Sequence, residues 1–326
     1  MKLTARSVRV LAALAAALSL AAPSLAQIYP AKPVRIVVPH PAGIGVDVEA
    51  RLLAALMSAE LGQPVLVDNR PGFGTLLAME AVAKAAPDGY TVGIGLPSNL
   101  ASHPRLFDRP TFDVERSLTP VSLMWSLPWG LYVNSAVPAK SLAELVALAK
   151  ASPDSLTYAT TGVGTFQHLT TEWLMSLMGA KLRHVPYGTS PWTPDLLSGR
   201  IDVVLWTLSG MTDYVKAGKL RLLAVSNGNR RSEQMPDVPT FAEAGLANYD
   251  VTAWAGLVVP AGTPIAVIEK LAAATAKAVN SASFREHVAK GGGTIVASSP
   301  AEFEAHLKAE RARWKKVIAD AGIRLE

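Results

Sequence analysis

The sequence predicts an α/β protein of two lobes that close like a clamshell, and three observations carry that expectation. Strand-like and helix-like segments alternate from Val34 onward. The alternation is interrupted twice by extended apolar stretches, near residues 119–134 and 251–259, which read as two crossing segments between lobes. Glycine-rich loops return after successive strands, at Gly43 and Gly45, at Gly72 and Gly74, and at Gly162 and Gly164. The expected division is 1–26 as a signal peptide, 27–125 with 252–326 as lobe 1, and 126–251 as lobe 2. About 300 residues beyond the leader exceed one core of ordinary domain size, which agrees with two lobes.

The leader has a basic start in Lys2, Arg6 and Arg9, an Ala/Leu-rich run from Val10 to Ala22, and small residues at Ser24 and Ala26. Cleavage is expected after Ala26, which predicts an exported, periplasmic protein. The run is shorter than the roughly 20 apolar residues a spanning helix needs.

Val34, Ile36, Val37 and Val38 make the first strand, stopped by Pro39 and Pro41. Val48, Leu52 and Leu56 recur every four residues behind Asp47, and Gly62 closes that helix. Asp47 is expected to cap it. Val65 to Val67 is the next strand, a helix follows from about Thr75 to Ala85, and APDGY turns the chain into a strand from Thr91 to Leu96. This βαβαβ order predicts a parallel sheet with any ligand site at the carboxyl ends of its strands, where residues 39–46, 69–75 and 97–102 form loops.

Residues 105–117 are irregular. Thr119 to Trp125 and Trp129 to Asn134 read as two extended segments separated by a proline. The second series opens on a capping box at Ser141 and Glu144 and continues with a strand at 156–160, a helix at 165–178, a strand at 183–186 and a short helix at 193–198. Strands at 201–206 and 220–225 flank a helix ending at Gly218. After the return crossing, Pro264 opens a helix to Asn280, and a capping box at Ser299 and Glu302 opens the last one.

Cysteine is absent, which excludes disulfides, thiolate nucleophiles and Cys-containing metal sites. The net charge of +5 falls to +2 without the leader's three cations, and the basic residues are dispersed, so no nucleic-acid partner is expected. GIGVDV has Val48 where a dinucleotide fingerprint needs glycine, GVGTFQ fails at Gln167, and no G-K-[ST] occurs, so no cofactor is expected. No histidine pair has metal spacing, and His184, His287 and His306 are assigned surface or capping roles. A periplasmic hydrolase on the same scaffold would need a G-x-S-x-G elbow, which is missing. The chain is therefore read as non-enzymatic.

The candidate ligand-binding residues follow from the loops. In the first, His40, Pro41, Ala42, Gly43, Ile44, Gly45, Val46 and Asp47 surround a turn whose N–H groups lie at a helix N-terminus, a place suited to an anion. Phe73 and Ser98 sit in the next two loops. Thr161, Gly162, Thr165, Phe166 and His168 belong to the GVG loop and the helix behind it, and Trp206 ends a strand of the second series.

YPAKPVRIVVPHPAGIGVD, LGQPVLVDNRPGFG, AKAAPDGYTV, YATTGVGTFQH, HVPY, KAGKLRLLAV, DVPTFAEAGL, GLVVPAGTP and ADAGI together resemble the tripartite tricarboxylate transporter substrate-binding proteins, the TctC or Bug receptor family. The resemblance implies a type II periplasmic-binding-protein clamshell that captures a small carboxylate; a carbonyl compound is the other ligand considered, and a monomer without metal or cofactor is expected. It also implies that residues 41–47 and 160–168 present backbone amides to a carboxylate. Many relatives serve membrane permease subunits. A sensor accessory role is the alternative.

Departures from the family pattern bear on the ligand. The first loop usually reads P-P-G-G-A-T-D, and here Ile44 and Val46 replace a glycine and a threonine; G-x-G-G-N is Gly72, Phe73, Gly74, Thr75, Leu76. Trp206 stands where a polar residue is frequent. These changes predict a dry cleft that takes a monocarboxylate or an uncharged carbonyl compound with an aromatic or aliphatic body, and binds citrate weakly or not at all.

Overall fold

β1 (Val34–Val38) buries every residue but Arg35 and pairs in parallel with both β2 (Val65–Asn69) and β3 (Thr91–Gly95), as expected of a strand covered on both faces. The computed structural model describes residues 29–43, 46–72, 75–102, 112–188, 190–227 and 230–321. The expected leader, Ile44, Gly45 and Phe73 lie outside the described residues. The chain forms two units, Met1–Ala31 and Lys32–Glu326, and every element below belongs to the second.

Helix α1 (Asp47–Leu61) follows β1 and ends on Gly62 in the left-handed conformation, φ 67°, which glycine adopts without penalty. Helix α2 is shorter than predicted, Leu76–Ala83, because Thr75 itself is left-handed at φ 79° and cannot begin a helix. Residues 98–102, expected as a loop, form a π-helical turn, in which the Asn99 side chain accepts the Leu96 N–H at 2.7 Å. A four-residue helix, α3 (Val114–Ser117), leads into β4 (Leu118–Asn134).

The two extended segments predicted around Pro128 are this single 17-residue strand. Its first part pairs antiparallel with β9 (Thr252–Pro260) as far as Pro128, and from Trp129 it pairs with β7 (Val203–Thr207) and β8 (Leu220–Ser226). Pro128 thus sits where the partner strand changes, so its missing N–H breaks no continuous ladder, while its carbonyl accepts the Leu208 N–H at 3.2 Å.

The second series adds α4 (Leu142–Ala151), β5 (Thr157–Thr160), α5 (Phe166–Met178), β6 (Arg183–Pro186), α6 (Thr193–Ser198) and α7 (Thr212–Lys216). After β9 come α8 (Ile265–Asn280), α9 (Ala282–Lys290), β10 (Thr294–Ile295) and α10 (Pro300–Ala321). α9 was not expected; it is one short stretch capped by Ser281, with Phe284 and Val288 its buried residues. The Ser299–Glu302 capping box forms as predicted, with reciprocal bonds of 3.2 and 2.8 Å.

Strand order is β2-β1-β3-β9-β4-β7-β5-β6, with β8 and β10 also on β4. The parallel sheet foreseen for the first series holds for β1, β2 and β3 and turns antiparallel at β9. One core gathers Val37, Met79, Leu123, Trp254 and Phe303; another gathers Leu131, Tyr158, Phe166, Leu169, Tyr249 and Trp314. Among the described residues no helix is long and apolar enough to cross a membrane.

Candidate functional site

The loop between β1 and α1 is held by its own side chains. Asp47, fully buried, accepts the Gly43 N–H at 2.6 Å and bonds Arg51 Nε at 2.8 Å and Asn69 Nδ2 at 2.6 Å. It is the first residue of α1, and no side chain caps the helix, so the expected capping role becomes one of tying the loop across its own turn. Burial works to raise the Asp47 pKa, but the bonds from Arg51, Asn69 and the Gly43 amide outweigh it and hold the carboxyl below its ordinary value.

His40 Nδ1 accepts the Val46 N–H at 3.3 Å. Burial lowers its pKa, against the opposing pull of the Asp47 carboxylate, so the ring is neutral at neutral pH. With Nδ1 used as an acceptor, the neutral ring carries its proton on Nε2 and keeps that N–H as a donor.

The loop after β5 is organised in the same way. The Thr161 N–H goes to Gln167 Oε1 at 2.9 Å, the Gly162 N–H to Thr160 Oγ1 at 3.1 Å, and the Gly164 N–H to His168 Nδ1 at 3.1 Å. Thr165 caps α5 by accepting the His168 N–H at 3.3 Å. Phe166 and Gln167 therefore carry the first two amides of α5, which no carbonyl within the helix can reach.

These loops border a cavity of about 520 Å³, a volume usual for small-molecule sites. Of the predicted residues, His40, Val46, Ser98, Thr161, Thr165, Phe166 and Trp206 line it together. Pro41, Ala42 and Gly43 are exposed beside it, and Asp47, Gly162 and His168 are not in its wall. His168 instead stacks on His184, ring centroids 4.2 Å apart, and Glu172 meets its Nε2 at 3.7 Å. His184 also stacks on Tyr158, His306 lies against Trp254, and His287 pairs with Glu49 at 3.2 Å. The surface roles assigned to these three histidines give way to packing between elements, which singletons in a sequence do not reveal.

The wall also contains residues that sequence reasoning missed: Glu49, Thr75, Trp125, Trp129, Gln167, Thr207 and Trp254. Four tryptophans and Phe166 make it largely aromatic. Trp129 meets Phe166 edge-on at 5.5 Å and Trp206 at 6.0 Å, and Trp192 supports Trp206 from behind at 5.4 Å. Trp125, Trp129 and Trp254 lie on β4 and β9, and only the pairing of those strands decides which face each presents. Among the described lining residues none is lysine or arginine, and Glu49 is the one acid. Among the described residues no group of three or more His, Asp or Glu is placed to hold a metal ion.

A mixed sheet with helices on its faces and an aromatic cavity bordered by glycine-containing loops at helix starts defines a two-lobed solute-binding protein of the periplasmic-binding type. The family model described as Tripartite tricarboxylate transporter family receptor, TctC, matches residues 49–323, and the chain belongs to that family. It is 34% identical to Protein BugT of Bordetella pertussis over 94% of each chain. Among solved structures it is similar to R. palustris Rpa4515 with adipate, at TM-score 0.81 and 33% identity over 91% of this chain and 99% of that one. It is also similar to MatC from Rhodopseudomonas palustris with bound malate, at TM-score 0.79 and 31% identity over 89% and 100%. Its family is one of solute-binding receptors for transport.

Proposed function

We propose that the chain captures a monocarboxylate, or an uncharged carbonyl compound, whose aromatic or aliphatic body lies against Trp129, Trp206 and Phe166. The observation that carries this reading is the composition of the cavity wall: four tryptophans, a phenylalanine and no lysine or arginine among its described residues. The His40 Nε2–H and the first amides of α5 suit one carboxylate or carbonyl oxygen, and no lysine or arginine among the described lining residues neutralises a second or third charge. Adipate and malate in the solved relatives support a carboxylate as the anchoring group. On this reading residues 27–125 with 252–326 and residues 126–251 are the two lobes, the leader exports the protein to the periplasm, and a monomer without catalytic activity hands its solute to membrane permease subunits.

A thermal-shift panel of mono-, di- and tricarboxylates tests it, because a ligand stabilises the state it binds. Aromatic or aliphatic monocarboxylates are expected to raise Tm and citrate to leave it unchanged. The reading is wrong if citrate or another tricarboxylate raises Tm most while aromatic acids do nothing.

A further inference from the structure

Glu49 is the anomaly in the cavity wall. It stands in the first turn of α1, its side chain is only 19% exposed, and its Oε1 meets His287 Nε2 of α9 at 3.2 Å. Its other oxygen, Oε2, is buried and has no hydrogen-bond partner among the described residues. No lysine or arginine among the described residues lines the cavity. A carboxylate accepts hydrogen bonds and donates none, and a buried acceptor left unmet retains its full desolvation cost. The pairing with His287 fixes the carboxylate by one oxygen and leaves the other without a donor among the described residues.

Resting on the reading of this cavity as a monocarboxylate site, we propose that Glu49 determines specificity at the ligand's second end by accepting a hydrogen bond from an N–H donor, an ammonium or a primary amide. The same carboxylate disfavours a ligand carboxylate at that end, because two like charges in a dry site repel each other. The solute is then an amino or amide derivative of a carboxylic acid. The anchoring oxygen lies towards His40 and α5, and the nitrogen lies towards α1.

Four para-substituted benzoates share a ring and a carboxylate and differ only at the far end. They are 4-(aminomethyl)benzoate, 4-carbamoylbenzoate, 4-methylbenzoate and terephthalate. By isothermal titration calorimetry the wild type is expected to bind the two nitrogen compounds at least about tenfold tighter than 4-methylbenzoate or terephthalate, the scale of one charge-assisted hydrogen bond. In Glu49→Leu both preferences over 4-methylbenzoate should collapse. Glu49→Gln keeps an acceptor without the charge and separates the two donors, since it should abolish the ammonium preference and retain the amide one. It also keeps the test open if Glu49→Leu fails to fold. Equal binding of 4-methylbenzoate and the nitrogen compounds by the wild type, or preferences that survive in Glu49→Leu, would overturn the role of Glu49 alone. If none of the four binds the wild type, the monocarboxylate reading of the cavity fails and this inference fails with it.

Discussion

Asp47 contacts no part of the cavity, yet it sets the shape of the loop that does. Its carboxylate meets one backbone amide, one guanidinium and one side-chain amide at 2.6 to 2.8 Å while wholly buried. Asp47→Asn keeps the volume and removes the charge, and should lower stability to urea by about 1.5–3 kcal/mol at neutral pH, the range for hydrogen bonds to a charged group. The pH dependence has a definite sign. The folded pKa lies below the unfolded one, so this contribution is fully present above the unfolded value, roughly 3.9, and is lost as pH falls through the folded value. The variant's stability should therefore fall less than the wild type's on going below pH 4, and equal slopes would remove Asp47 from the account. At this scale the sequence was informative about where the loops are and silent about what their amides do. Gly43, Gly162 and Gly164 were recognisable as turn residues, but the amides of all three go to Asp47, Thr160 and His168. The side-chain acceptors lie two to four residues away, and no periodicity records which way they turn. Glu49 was equally hidden, as one acidic residue among several polar ones on the same helix.

The α5 amino end shows how an element is seated by partners remote in sequence. Gln167 ties its first turn to both neighbours, donating to the Leu205 carbonyl of β7 at 2.9 Å and accepting the Thr161 N–H. The next residue, His168, stacks on His184 of β6, whose Nε2 lies 2.6 Å from Thr160 Oγ1. Burial, together with the neighbouring His168, pushes His184 down to about 4 against the opposing pull of Glu172, and burial lowers His168 as well. Both folded values lie below the unfolded one of roughly 6.5, so the unfolded chain takes up protons that the folded chain refuses. Stability from this pair is thus fully present above pH 6.5 and declines as pH falls towards 4. The urea midpoint should drop between pH 7 and pH 5 in the wild type and drop less in the His168→Gln, His184→Gln double variant. A double variant with an undiminished drop would assign the effect elsewhere. Helices and strands with clear periodicity or caps were legible, among them α1, α4, α8 and α10. β4 was not, because Pro128 looks like a strand breaker until the change of partner strand at Trp129 is seen.

α10 links the two cores. Phe303 and Leu307, near its start, pack with Trp254, Leu123 and Val37, whereas Trp314 and Val317, further along, pack with Phe166, Tyr158 and Tyr249. Between them Glu310, itself buried, accepts the indole N–H of Trp254 at 3.4 Å and that of Trp314 at 3.3 Å. Trp314 also lies 5.1 Å from Phe166, which forms cavity wall and meets Trp129. One helix therefore joins the packing of both sheet halves and supports the aromatic site from behind. Trp314→Ala removes a side chain with no solvent exposure and should cost about 3–5 kcal/mol, the range for truncating a buried aromatic. The size of the loss alone would not separate a bridging role from ordinary core packing, so cooperativity provides the second readout. In the wild type, urea unfolding followed by far-ultraviolet circular dichroism and by tryptophan fluorescence should give one coincident transition. In Trp314→Ala the two should part, because each core then loses its hold on the other. Ligand affinity should also fall, since Phe166 loses its support while every residue of the cavity wall remains in place. Coincident transitions in the variant, with unchanged affinity, would mean that the two cores are coupled through β4 and β9 alone.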